Sequence, residues 1–392
     1  MKRALAIVAN TRLPSERAQG LQVVQSAAAF ARLGLDIELL HARRTRELAL
    51  PPGTDLFAHC GVPALGRPRV SAVECCDILE RFPRALQFWP SRLQEWSFSA
   101  NAASLLLRDA PPRWVLSREI ECAERLVRAG HRSIFLEIHS VPGGRWRRRL
   151  LLRAAQGACG VIAISGGVRE DLLSLGIETS KLIVEHDAFE PERFRSLPTR
   201  SEARRALDLP SERAVVVYTG GLLAWKGVDV LVEAARRVPE ALIVIAGGME
   251  QDIAALRARA SGIPNVRIDG LQPPSRVALY LAAADVGVAP NRSAPAISAR
   301  YTSPLKVFEA MAVGLPLVAS DLPSLRELLR HGSDAWLVRA DDAEELAGGL
   351  KKLLGDADLR RALGQSLAAR SAEHTWDARA QRLVRWMGER AS

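Results

Sequence analysis

Short apolar runs and amphipathic stretches alternate twice along this 392-residue chain, and that alternation constrains the fold more than any other feature. In the first series, residues 4–9 read as a buried strand, 10–20 as a polar loop, 21–33 as a helix and 35–40 as a second strand. The pattern resumes with strands at 114–116, 133–138 and 161–164 and helices at 119–129 and 166–175. A second series starts at Ala214, with strands at 214–219, 241–246, 266–268 and 286–289 and helices at 228–237 and 274–283. Strand, loop, helix, strand is the start of a doubly wound α/β domain, and two series imply two such domains. Between them, residues 190–213 are polar and rich in Arg and Pro, the composition of a linker. Residues 42–100 carry Pro51-Pro52, several Arg and the aromatics Phe82, Phe88, Trp89, Trp96 and Phe98. They read as a packed irregular insertion, with an acceptor-facing surface as the alternative. After Leu353 the chain turns helical, at 356–370 and 376–390.

The richest stretch runs from Ser303 to Leu328. Ser303 can cap a helix with its hydroxyl, and Pro304 suits a first helical turn. Leu305, Val307, Phe308, Ala310 and Met311 supply an apolar face; Gly314 stands at a C-cap and Pro316 prevents continuation. The free amides around Ser303, Leu305 and Lys306 form an anion site at a helix start. Lys306 adds a cation, and Glu309, three residues on, shares its helix face. Phosphates followed by a ribose diol would match a cation with a carboxylate one turn deeper; a Lys–Glu surface pair is the plainer alternative. Earlier, Gly220-Gly221 follows a strand, and Lys226 precedes the next helix. Glycines there let amides approach a phosphate, and Lys226 supplies a point charge. Only six of the 54 basic residues are Lys, and two of the six stand at these helix starts. Leu271 and Gln272, after a strand end, are placed for a nucleotide base.

In the first series, strand ends are again the places to look. The loop from Thr11 to Gly20 follows one, and Glu137-Ile138-His139 closes another. No Gly-x-Gly-x-x-Gly is present, which disfavours a dehydrogenase-type dinucleotide fold. The stretch Arg145-Trp146-Arg147-Arg148-Arg149 with Leu150-Leu151-Leu152-Arg153 has five Arg and no acid. It reads either as a solvated Arg face over a packed Leu face or as a helix lying on anionic lipid.

Hydrophobic residues make up 48% of the chain, ample for two cores, and the net charge of +10 points to acidic ligands or an anionic surface. The Arg excess and abundant Ala fit a GC-rich bacterial genome. Five cysteines without metal-ligand spacing fit a reduced, cytoplasmic chain, and the first apolar run is too short for a secretory signal. A recognisable nucleic-acid module is lacking, so no nucleic-acid partner is expected.

Together these motifs resemble the retaining glycosyltransferases of family four, the group-1 glycosyltransferases, which have the GT-B fold: two Rossmann-like doubly wound domains facing across a cleft. The resemblance is strongest over 214–340. It implies an N-terminal acceptor-side domain at 1–190, a donor domain at 191–374, and a last helix at 375–392 crossing back to the first domain. It implies a retaining hexosyltransferase that moves a sugar from a nucleotide-sugar donor to a glycan, lipid-linked or small-molecule acceptor. Catalytic positions would be His139, Lys226 and Glu309. Donor contacts would come from Gly20, Gly220, Gly221, Lys226, Leu271, Ser303, Pro304, Leu305, Lys306 and Glu309, with Glu309 on the ribose and His139 on the sugar. With no Asp-x-Asp motif near these positions, no metal or other cofactor is expected. The chain would work in the cytoplasm or at the inner face of the membrane. Two family positions differ: Tyr301 stands where the motif has its first Glu, and Gly221 where Arg is usual. An epimerase of the same fold, or a nucleotide-sugar-binding protein without activity, is the alternative.

Overall fold

The computed structural model describes residues 3–15, 17–45, 48–50, 52–83, 86–108 and 113–391. Glu16 of the first polar loop and Pro51 lie outside the described residues. The chain divides into two compact units, Met1–His186 with Trp376–Ser392, and Asp187–Thr375.

The first unit runs β1 (Ala4–Ala9), α1 (Ala18–Arg32), β2 (Asp36–Ala42), α2 (Leu56–His59), β3 (Arg69–Val73), α3 (Phe88–Arg108) and β4 (Trp114–Ser117). It continues with α4 (Ile120–Arg128), β5 (Ile134–Ile138), α5 (Arg145–Gly157), β6 (Gly160–Ala163), α6 (Gly166–Ser174) and β7 (Leu182–Val184). All seven strands are parallel, in the order β3-β2-β1-β4-β5-β6-β7. Strands such as β5 and β6 are buried on both faces, as continuous apolar runs in parallel sheets must be.

The second unit runs α7 (Arg200–Ala206), β8 (Ala214–Thr219), α8 (Val228–Ala235), β9 (Ala241–Ala246), α9 (Glu250–Arg259), β10 (Val266–Gly270), α10 (Pro274–Ala283) and β11 (Val286–Ala289). It ends with α11 (Leu305–Val313), β12 (Leu317–Ser320), α12 (Pro323–Arg326), β13 (Ala335–Val338), α13 (Ala343–Gly355) and α14 (Ala357–Ala369). Its six parallel strands lie in the order β10-β9-β8-β11-β12-β13, with a core layer on each face. Both sheets reverse strand order once, between β1 and β4 and between β8 and β11, and ligands of such sheets bind beyond the strand ends at that reversal.

The last helix, α15 (Trp376–Arg390), belongs to the first unit. Trp376 Nε1 donates to Gln25 Oε1 at 2.9 Å, and Arg32 pairs with Asp377 at 2.7 Å. Arg379, 1% exposed, reaches Glu137 Oε2 at 2.8 Å and the His186 carbonyl at 2.8 Å.

Three local expectations are corrected. Helix α1 starts at Ala18, so Gly20 lies in its first turn and not in the preceding loop. The expected irregular insertion holds β3 and the 21-residue helix α3. Gln94, Phe98, Ala102 and Leu106 bury one face of α3, while Trp89, Leu93 and Trp96 form an exposed apolar stripe elsewhere on it. Apolar residues on two faces blur the single stripe that marks an amphipathic helix. The expected linker is also packed structure. Thr199 and Glu202 form a capping box on α7, and Phe194, Ala203, Leu207 and Leu209 enter the core. Arg204 is buried there because it donates to the Ala283 carbonyl and pairs with Asp285 at 2.6 Å, so a residue that reads as solvated is satisfied inside.

Candidate functional site

In the second unit the loops after β8, β9 and β10 meet at one edge of the sheet. Gly220 N donates to the Ala246 carbonyl at 3.0 Å, and Gly247 N to the Gly270 carbonyl at 2.6 Å. The backbones approach so closely that a Cβ on Gly247 would lie 2.1 Å from the Gly220 oxygen, and its φ of +134° also favours glycine. Gly227, at φ +66°, passes against the loop after β11: a Cβ there would lie 1.9 Å from the Pro290 oxygen. Lys226 is thereby fixed at the end of a short 3₁₀ turn at the start of α8.

Two lysines converge on the glycine loop. A Cβ on Gly220 would stand 3.8 Å from both Lys226 Nζ and Lys306 Cε, and one on Gly221 would stand 3.8 Å from Lys226 Nζ. Lys306 is buried, its Nζ 3.5 Å from the centre of the Tyr218 ring, and Nζ has no hydrogen-bond partner. Tyr218 is itself fixed, donating to the Gly221 carbonyl at 2.7 Å. Burial holds the Lys306 amine well below its ordinary pKa, and the like charge of Lys226 lowers it further; Glu309 acts in the opposite direction. Burial lowers Lys226 as well. Two amines beside a glycine-lined loop are thus held away from their charged forms, and an anion there would favour protonation of both.

The neighbouring motif is assembled differently from the sequence expectation. Ser303 does not cap α11: its Oγ accepts from the Asp187 amide at 2.8 Å, and Pro304 occupies the N-cap without a side-chain bond. A proline ring has no acceptor to offer, so the amides of Leu305 and Lys306 begin the helix without a side-chain cap. Gly314 ends α11 in the left-handed conformation, as expected. Glu309 is buried and paired: Arg193 Nη1 meets its Oε1 at 2.8 Å, and Arg193 Nη2 donates to the Pro274 carbonyl at 2.9 Å. Glu309 is therefore held by an Arg that sequence reasoning passed over, in a stretch read as linker. Leu271 is half exposed beyond β10, and Gln272 donates to the Asp269 carbonyl at 2.9 Å.

The first unit has its own cavity, of about 320 Å³, lined by residues that include Gln19, Gln22, Arg118, Glu119, His139 and Arg147. It lies beyond the ends of β4 and β5, beside the reversal of strand order. Gly20 lies in the chain between the lining residues Gln19 and Gln22, and its small size keeps the turn tight, since a Cβ would lie 2.7 Å from the Ser15 Cβ. His139 Nε2 is 2.8 Å from Glu137 Oε1 and 2.6 Å from Arg118 Nη2. It donates to Glu137 when that nitrogen is protonated and can accept from Arg118 only when it is not. Burial alone would raise the Glu137 carboxyl; Arg379, His139 and Arg118 outweigh it and hold it well below its ordinary value. Burial pushes Glu119 up to about 7, although its Oε1 accepts from the Asn10 amide at 2.8 Å. Glu119 and Arg118 were missed in the sequence, though both directly follow a strand end, the same signal that marked His139. Gly20 and His139 thus lie in one unit and Gly220, Gly221, Leu271, Ser303, Pro304, Leu305, Lys226, Lys306 and Glu309 in the other.

Residues 213–356 match the family described as "Glycosyl transferases group 1". Among curated proteins, the chain is 30% identical over 206 residues to the amylovoran biosynthesis glycosyltransferase AmsK of Erwinia amylovora, covering 51% of this chain and 48% of that one. It is 29% identical over 206 residues to a D-inositol 3-phosphate glycosyltransferase of Thermobispora bispora, covering 49% and 46%. The chain spans about half the length of the curated relatives it matches. Among solved structures, sucrose-phosphate synthase from Thermosynechococcus elongatus superposes with a TM-score of 0.76 at 20% identity, over 99% of both chains. HepE of Anabaena in complex with UDP-glucose superposes with a TM-score of 0.74 at 16% identity, over 98% and 99%. At these identities the structural likeness fixes the fold alone.

Proposed function

We propose that this chain, whose residues 213–356 match the group-1 glycosyltransferases and whose fold is GT-B, transfers a sugar from a nucleoside-diphosphate donor to an acceptor hydroxyl with retention of configuration. The observation that carries this reading is Lys306: a buried amine without a hydrogen-bond partner, beside Lys226 and the Gly220-Gly221 loop. A diphosphate in that place would give both lysines an acceptor, and the amides of Leu305 and Lys306 would add donors at the positive end of α11. Glu309, oriented by Arg193, would receive the ribose hydroxyls, and Leu271 would flank the base.

In the reaction the acceptor oxygen bonds to the anomeric carbon while the bond from that carbon to the diphosphate breaks. The hydroxyl proton is released with the diphosphate. Negative charge grows on the departing phosphate, and Lys226 and Lys306 supply the fixed counter-charge; such preorganised electrostatics is usually the largest part of catalysis. His139 would position the sugar from its cavity in the first unit. HepE was crystallised with UDP and with UDP-glucose, which supports a nucleotide sugar as the donor class for this chain too.

Calorimetric titration with uridine, guanosine and adenosine diphosphates, and with the three nucleosides, tests the reading. At least one diphosphate should bind well over tenfold more tightly than its nucleoside. Equal affinities, or no binding of any diphosphate, would remove the site. A nucleotide-sugar epimerase is the second reading, because Glu119, at about 7, and His139 line one cavity and form a candidate acid–base pair. Turnover of the nucleotide sugar to its epimer without any acceptor would favour it.

A further inference from the structure

We infer that Asn291 is a further donor-site residue that reads the transferred sugar. Its carboxamide spans the phosphate bonded to the sugar and the hydroxyl on the sugar's C2, so the chain takes nucleotide sugars with a free C2 hydroxyl. The inference rests on the donor-site reading above and adds to it a residue and a class of sugar.

Asn291 follows β11 by two positions, at the reversal of strand order where β8 and β11 lie side by side. It is 2% exposed, its Oδ1 has no hydrogen-bond partner, and its Nδ2 makes no hydrogen bond among the described residues. Buried carboxamides are nearly always satisfied, because a dry, unpaired amide is costly, and an exception calls for a reason outside the fold.

Looseness of the chain is not that reason. The residues on each side of Asn291 are pinned to the turn that carries Lys226. The Pro290 carbonyl lies where a Cβ on Gly227 would meet it at 1.9 Å, and Arg292 N donates to the Trp225 carbonyl at 3.0 Å. The Arg292 side chain pairs with Asp341 at 2.9 Å and with Asp229, and the Ser293 amide donates to Asp341 at 3.0 Å. These polar groups are committed to the fold; the Asn291 carboxamide is not. Lys306, whose Nζ also lacks a partner, stands with Lys226 against the glycine loop.

The chemistry of the amide decides what it meets. Oδ1 can only accept, so its partner is an ammonium group or a hydroxyl. In the donor-site reading both ammonium groups face the diphosphate, which leaves a ligand hydroxyl. The diphosphate of a nucleotide sugar carries no proton at neutral pH and cannot serve Oδ1. It can serve Nδ2, which only donates. The two ends of one carboxamide are close together, so the two ligand groups must be neighbours as well. In a nucleotide sugar, the hydroxyl nearest the phosphate on C1 is the one on C2. Held at both points, the sugar is oriented about the bond that breaks.

Calorimetry on the full chain tests this. The ligands are UDP, GDP and ADP, the glucose and mannose conjugates of whichever diphosphate binds, and the 2-deoxy-2-fluoro analogues of those conjugates. Fluorine has nearly the size of the hydroxyl and cannot donate a hydrogen bond. The parent nucleotide sugar should bind about tenfold more tightly than its fluoro analogue, the effect of one hydrogen bond to an otherwise unsatisfied buried group. Asn291→Leu should erase that difference, and Asn291→Ala, which removes the amide without adding bulk, should erase it too. Either variant should weaken the diphosphate alone by no more than about fivefold, because the lysines remain. The melting temperature of Asn291→Leu should hold or rise, since an apolar group of similar volume replaces an unpaired amide.

No preference for the parent sugar in the unaltered chain overturns the inference, as does a preference that survives in both variants. Binding of a diphosphate but of neither its glucose nor its mannose conjugate also overturns it. A lower melting temperature with every affinity unchanged would assign Asn291 to the fold, its amide satisfied by a buried water. If none of the three diphosphates binds, the donor-site reading falls and this inference with it. If a diphosphate binds and the C2 hydroxyl goes unread, only this inference falls.

Discussion

Lys306 carries an unusual load for one side chain. Its charged form is penalised by burial and by Lys226, so folding favours the neutral amine. The sign of the pH effect follows: the unfolded chain binds more protons at this residue, and stability from it rises with pH above the folded pKa until the ordinary Lys value near 10.4 is reached. Lys306→Met fills the same volume without charge. It should raise the melting temperature measured at pH 7 by at least about 2–4 °C, the shift expected for ~1 kcal/mol in a unit of this size. The same variant should lose a charge-assisted contact of roughly 1.5–3 kcal/mol to a diphosphate, which is about 10- to 150-fold in affinity. Greater stability with weaker binding marks a functional lysine; loss of stability would mean that Lys306 supports the fold. Lys306 and Glu309 were legible in the sequence because their spacing is a helix property. Arg193 was not, because its partner Glu309 is 116 positions away and only folding brings them to 2.8 Å.

Among the elements, α11 and α3 show opposite degrees of legibility. Helix α11 is buried around its circumference from Lys306 to Met311 and is stopped by Gly314 and Pro316, so local rules locate it. Helix α3 has two apolar faces and begins in a Pro-containing segment, so local rules give conflicting answers. Even for α11 the chain overrode one local preference, taking the Ser303 hydroxyl for the Asp187 amide in place of a cap. A buried polar anchor also joins elements in the second unit. Asp334, fully buried just before β13, accepts from Arg330 Nε at 2.8 Å, from Ser366 of α14 at 2.8 Å and from Arg370 at 2.7 Å. Burial alone would raise this carboxyl; Arg330, Ser366 and Arg370 outweigh it and hold it at about 2. Its folded value lies below its unfolded one, so its stabilisation is present above about pH 4 and is lost as pH falls toward 2. Asp334→Asn should cost on the order of 2 kcal/mol at pH 7 and much less at pH 2.5, measured by urea unfolding at the two pH values. Equal losses at both would mean that the carboxylate charge is not what holds β13 to α14.

For the whole molecule, the proposed labour divides between units: the lysines and glycines lie in one, His139 and its cavity in the other. His139→Ala should leave nucleoside diphosphate affinity within about twofold and lower sugar transfer by about two orders of magnitude, the effect of misplacing a reacting group by about 1 Å. Lost diphosphate binding would contradict this division, and unchanged transfer would remove His139 from the site. Because His139 is tied to Glu137 and Arg118, circular dichroism and melting should accompany the assay to separate positioning from folding. The sequence by itself determined the class of fold, the central strands of both sheets, the existence and C-terminal stop of the helix ending at Gly314, and the glycine loop with Lys226. Those are set by periodicity, caps and turn chemistry within a few residues of chain. Tertiary structure alone decided that Lys306 is buried without a partner, that Arg193 holds Glu309, that Glu119 shares a cavity with His139, and that the Arg-rich helix α5 turns its leucines inward while α3 leaves its tryptophans outside. Each of these depends on desolvation or on contact between residues far apart in the chain, and neither exists until the sheets have closed around them.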